Sequence, residues 1–144
     1  MTQIERTEDL FKKGYSWTQS ILAGFGQKYG LDQDMAVTIG RAFGSGMGLG
    51  KICGAVSGAF MVLGFKYQNE DDERQARYKT YDLVKEFIKR FEEKHDATDC
   101  KDLLGGVDLS TEAGRQEAVD RKLFTTVCPE FVRDAAKILD DLLK

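Results

Sequence analysis

The sequence has little of several residues that usually announce a chemistry. It has one proline, Pro129, one histidine, His95, and three cysteines, Cys53, Cys100 and Cys128, in 144 residues. One histidine removes most acid–base and Ser/His/Asp arrangements. No two cysteines lie close enough to make a CxxC, so neither a thioredoxin-like motif nor a zinc ribbon is present. There is no excess of positive charge. The formal net charge is −3, and no dense Lys/Arg patch carries interleaved aromatics, which argues against nucleic acid and anionic membranes as partners. No long hydrophobic run exists either. The longest stretch, Ile52 to Phe65, is interrupted by Gly54, Gly58 and Gly64 and is too short to span a bilayer. Met1 to Leu10 carries Glu5, Glu8 and Asp9 and has no apolar signal region. The expectation is a cytoplasmic protein with reduced cysteines and no membrane insertion.

What is present is helical pattern. With 42% hydrophobic and 31% charged residues, the chain is an ordinary globular one, long enough for one domain over residues 1–144. The expected fold is all-α, a compact single-domain bundle of about five main helices with a glycine-rich turn. Leu10, Phe11, Trp17, Ile21, Leu22, Phe25 and Tyr29 recur at three- and four-residue steps, predicting a helix from Glu8 to Tyr29, with Gly14 as a break or kink. Asp32 caps a second helix carrying Met35, Ala36, Ile39 and Phe43 on one face. A long charged helix over Asn69–Lys94 is anchored by Tyr81, Val84, Phe87, Ile88 and Phe91. Short helices follow around Cys100–Leu104, stopping at Gly105–Gly106, and over Ser110–Val119. The last helix starts at Pro129 and carries Phe131, Val132, Ala135, Ala136, Ile138, Leu139 and Leu142.

Between the second helix and the apolar stretch lie Gly44, Gly46, Gly48 and Gly50. So much glycine carries an entropic cost and gives a backbone free to take positive φ and to approach another group closely. Gly46, Gly48, Gly54 and Gly58 are the candidate positions for close approach by a cofactor, a neighbouring helix or a second copy of the chain. The segment is not a nucleotide loop. Counting back from Gly50-Lys51 puts Ser45 at the first glycine of a P-loop and Ile52 where a hydroxyl would hold magnesium. A GxGxxG pattern fails at Leu49. Anion binding by Lys51 and the free N–H groups of the next helix is the remaining nucleotide-like option, and a tight turn between close-packed helices is the simpler reading.

Each cysteine falls at a predicted helix start, where free N–H groups and the positive end of the helix dipole favour a thiolate. A thiolate is both the nucleophile of disulfide exchange and a metal ligand. Three readings stay open. Cys53, Cys100 and Cys128 are redox thiols, two of them forming a reversible disulfide. Alternatively they bind zinc or iron, with an open position or with His95 as fourth ligand. Or the cysteines are small core residues of a non-catalytic helical interaction or small-molecule-binding protein.

The run Phe43-Gly44-Ser45-Gly46-Met47-Gly48, followed by Cys53-Gly54-Ala55-Val56-Ser57-Gly58-Ala59, with Cys100 before Leu103-Leu104-Gly105 and Cys128 before a terminal amphipathic helix, resembles the C_GCAxxG_C_C family. The resemblance covers the chain from about Phe11 to Leu143. It implies a redox-active protein, with thiol or metal-linked chemistry at Cys53, Cys100 and Cys128 and a redox or transporter-associated protein partner. It also implies a departure. Gly14-Tyr15-Ser16-Trp17-Thr18-Gln19 aligns with the stretch that holds the family's first cysteine, and Trp17 takes that cysteine's place. An indole neither exchanges disulfides nor ligates zinc, and it is expected to fill space that a cofactor would use.

Overall fold

The computed structural model describes residues 1–144. Nine helices follow one another, with no β-strand and one isolated antiparallel bridge, so the fold is all-α as the periodicity predicts. Five helices have ten or more residues: α1 (Gln3–Lys12), α2 (Trp17–Gly26), α4 (Gly54–Leu63), α5 (Glu73–His95) and α9 (Cys128–Leu142). Between them lie α3 (Gln33–Gly40), α6 (Cys100–Leu103), α7 (Glu112–Asp120) and α8 (Leu123–Thr126).

The predicted helix from Glu8 to Tyr29 is two helices. The chain turns at Gly14 (φ +102) and restarts on a reciprocal cap. The Ser16 hydroxyl accepts the Gln19 N–H, and the Gln19 side-chain oxygen accepts the Ser16 N–H. Two free N–H groups at the start of α2 are satisfied at once, a stronger signal for a helix start than the apolar spacing is for continuity. Asp32 caps α3 as expected, its carboxylate accepting the Met35 N–H. The apolar face assigned to α3 is largely outside the core, however. Ala36 is buried, while Met35 and Ile39 are exposed. Tyr81 on α5 is likewise exposed, and Phe87 and Phe91 alone bury fully on that helix's inner face. The helix α8 carries no periodic signal and was not expected.

The core forms around α2 and α4, which pack on each other. Ile21, Phe25, Val56, Val62 and Leu63 are fully buried there. Helix α9 covers α4 and also meets α5, and Ala135 and Leu139 belong to the same buried core as Phe87 and Phe91. The closeness of α2 and α4 depends on two glycines. A Cβ on Gly54 would lie 2.7 Å from Thr18 Oγ1, and one on Gly58 would lie 3.1 Å from the Thr18 carbonyl oxygen. Thr18 uses that proximity, donating its hydroxyl to the Gly54 carbonyl at 2.8 Å. The small-residue face of α4 is therefore consumed within the chain.

The glycine-rich segment is stranger than a tight turn. Four consecutive residues, Ser45, Gly46, Met47 and Gly48, have φ between +53 and +69, and Gly50 follows at +70. Ser45 and Met47 have no glycine to excuse them, so the segment is a short left-handed coil. It closes with the Lys51 N–H donating to the Gly46 carbonyl at 3.2 Å. The glycine is required at 46, because a Cβ there would lie 2.4 Å from the Lys51 nitrogen.

Candidate functional site

The left-handed coil delivers the chain to the isolated bridge, and the bridge builds the site. Ile52 pairs antiparallel with Asp99. The Cys53 N–H donates to the Thr98 carbonyl at 2.8 Å, and the Cys100 N–H donates to the Lys51 carbonyl at 2.7 Å. Cys53 and Cys100 each follow a bridged residue, so in extended backbone both side chains leave on the same face. Directly after the bridge, both segments turn into helix. Cys53 is the N-cap of α4, and Cys100 is the first residue of α6. Forty-seven positions of sequence are thus closed by two hydrogen bonds.

The bridge brings the two thiols close enough for each to shift the other's ionisation. Both are almost completely buried, Cys53 at 6% and Cys100 at 8% exposure. Their environments differ in one respect that sets their roles. The Cys100 hydrogen bond holds the Cys53 thiol below its ordinary pKa, and the Ala55 and Val56 N–H groups at the start of α4 add to this, against the cost of burial. The same contact pushes Cys100 far up, with burial and the Cys53 charge acting in the same direction. The two shifts oppose each other, so Cys53 is the more readily ionised thiol of the pair.

Cys128, the first residue of α9, is half-buried near them. Burial first, and the charge on Cys53 second, push its thiol up to about 12. All three cysteines are free and line one cleft of about 420 Å³. All three also sit at helix starts, where the sequence places them. Helix position alone does not make the three alike, since a nearby charge and dry surroundings outweigh the helix end at Cys100 and Cys128.

The rest of the cleft was not legible as a site. Phe11 comes from α1, Tyr15 from the turn after it, Phe124 from α8 and Phe131 from α9. Trp17, the first residue of α2, also lines the cleft. Its ring stacks on Phe11 with the planes 9° apart, and its Nε1–H is buried without an acceptor. The indole therefore leaves open space beside the thiols instead of filling it.

Of the four glycines expected to allow a cofactor close, only Gly54 borders the cleft. The space above Gly46 and Gly58 is taken by the Lys51 backbone and by Thr18, and Gly48 is exposed with nothing within 4 Å. Lys51 stands at a different surface, among Asp99, Asp102 and Asp108, a setting that disfavours an anion there. The alternative metal reading of Cys53, Cys100 and Cys128, with or without His95, finds no assembled ligand set. No three His, Cys, Asp or Glu side chains converge in a way that could hold an ion. His95 is committed elsewhere, with Nε2 2.8 Å from an Asp134 carboxylate oxygen and its ring between Phe91 and Phe131. No helix is long and apolar enough to cross a membrane.

A family model described as "Putative redox-active protein (C_GCAxxG_C_C)" matches residues 15–142. No curated protein and no solved structure matches the chain.

Proposed function

The chain belongs to the family described as "Putative redox-active protein (C_GCAxxG_C_C)", and from that premise we propose that Cys53 and Cys100 are a reversible dithiol–disulfide couple. One observation carries the reading: two buried thiols, brought together by the Ile52–Asp99 bridge and its two backbone hydrogen bonds, line one open cleft, and their pKa values are driven in opposite directions. Disulfide exchange needs that asymmetry. The attacking sulfur must be a thiolate and the second must keep its proton until its turn.

With an external disulfide as acceptor, the Cys53 thiolate attacks one sulfur, and the other leaves as a thiolate. Cys100 then loses its proton and attacks the Cys53 sulfur, displacing the first. One S–S bond breaks and one forms. Two electrons and two protons pass from the protein to the acceptor, which leaves as two thiols. Cys128 stays protonated near neutrality and takes no part in the pair. Trp17 occupies the family's remaining cysteine position without thiol chemistry, and the couple does not need it.

The test is intact mass after treatment of the reduced protein with hydroxyethyl disulfide. The wild type and Cys128→Ser lose two hydrogens and regain them with reductant. Cys53→Ser and Cys100→Ser do not. Three thiols surviving in the wild type, or an intramolecular disulfide that persists in Cys53→Ser, overturns the reading.

A further inference from the structure

The cleft in front of the thiols has a second property that bears on what reaches them. Sixteen residues line it, and none carries an ionisable acid or base other than the cysteines and Tyr15. No Lys, Arg, His, Asp or Glu is among them. An anionic ligand would lose its water there with no cation to offset the cost. Carboxylate-bearing thiols and disulfides are therefore poor fits. At about 420 Å³, the space suits a molecule of one or two rings.

The walls narrow the chemistry further. Five aromatic side chains, Phe11, Tyr15, Trp17, Phe124 and Phe131, line the cleft. Aromatic surfaces favour a flat ring over an aliphatic chain. The polar side chains of the wall are mostly donors: the hydroxyls of Tyr15, Ser16 and Ser45 and the Trp17 Nε1–H, which has no partner, with the Gln19 amide beside them. The Ser16 oxygen accepts the Gln19 N–H and so still has its own proton to give. Such groups suit a ligand whose polar atoms are acceptors, such as carbonyl oxygens.

We infer that the cleft admits a neutral quinone as the two-electron acceptor of the Cys53–Cys100 couple. The inference rests on the dithiol reading above and adds the class of acceptor. The reaction balances without another reagent. Two S–H bonds break, one S–S bond forms, and the two electrons and two protons convert both quinone carbonyls to hydroxyls. A neutral flat acceptor becomes a neutral flat hydroquinone, so no charge is left in the dry cleft at the end.

The experiment follows quinone reduction by the reduced full chain without oxygen, with the protein mass read at the end point. Duroquinone is the neutral probe, since its ring is fully substituted and resists permanent thiol attachment. A sulfonated naphthoquinone is the anionic probe. Each rate is divided by that of dithiothreitol with the same quinone, which removes differences in intrinsic reactivity. The neutral probe is expected to saturate and to exceed the anionic one by more than about ten-fold after this correction, a factor that about 1.4 kcal/mol supplies. The protein then loses two hydrogens, and Cys53→Ser does neither. Corrected rates that are equal for the two probes overturn the inference. So does duroquinone left unreduced while hydroxyethyl disulfide still oxidises the pair, an outcome in which the dithiol reading survives. Failure of both oxidants to join Cys53 to Cys100 overturns the two together.

Discussion

Replacing Cys100 with alanine tests the asymmetry of the thiol pair at its source. The largest influence holding the Cys53 thiol down is the hydrogen bond from Cys100. Alanine removes the donor and little volume, and the α4 N–H groups stay in place. A hydrogen bond to a charged group contributes about 1.5–3 kcal/mol. Its loss therefore raises the Cys53 pKa towards the ordinary thiol range. At any pH below both values, the Cys53 thiolate fraction then falls. The assay is the pH dependence of Cys53 alkylation, read by peptide mass in a Cys128→Ser background so that only the pair is scored. Cys100→Ser is the control, because its hydroxyl still donates. The expected order of Cys53 pKa is Cys100→Ser below Cys100→Ala. Two identical profiles would refute the reasoning, since the thiol contact would then have no electrostatic consequence.

Three further outcomes follow from the geometry. Gly46→Ala should destabilise the fold by about 2 kcal/mol or more in urea unfolding, as it combines a left-handed φ with a backbone collision, whereas Gly48→Ala meets open space and should cost about 1 kcal/mol; equal losses would contradict the packing assigned to Gly46. Thr18→Val deletes the buried hydrogen bond to the Gly54 carbonyl and should cost about 1 kcal/mol in the same assay; an unchanged midpoint would mean the α2–α4 contact does not need it. Cys128 is raised from 9.0 to about 12 in the folded protein, so the unfolded chain releases its proton first as pH rises. Its stabilising contribution is complete below pH 9 and lost progressively towards pH 12, and Cys128→Ser should flatten the fall in melting temperature across that window by comparison with the wild type.

The all-α class was legible because the apolar spacing of α9 is strong and the proline at its start agrees with it. The end of α6 at Gly105–Gly106 and the start of α9 beside Pro129 were legible for the same local reasons. Burial was less so. Met35, Ile39 and Tyr81 have core-like spacing, but no neighbouring element covers them, and periodicity cannot report what lies opposite a face. The site was legible as three residue numbers and no more. Nothing local to Cys53 or Cys100 indicates that Lys51–Cys53 will pair with Thr98–Cys100, because two hydrogen bonds between distant segments leave no period in either. The cleft walls are harder still, since Phe11, Tyr15, Phe124 and Phe131 come from four separate places and each has an adequate explanation as a packing residue.

The left-handed coil from Ser45 to Gly48 also makes the sulfur pair dependent on breathing. Ser45 and Met47 are held in a conformation that costs an L-residue about 1–2 kcal/mol, and the coil leads within three residues to the Lys51 carbonyl that anchors Cys100. A segment with that internal cost relaxes on unfastening, so its local opening takes less free energy than fraying of α4 does. When it opens, the Cys100 N–H loses its partner. Amide exchange at Cys100 should therefore run ahead of exchange at Val62 or Leu63 in the centre of the core, with the sulfur–sulfur contact made and broken at the pace of a turn rather than of the whole fold.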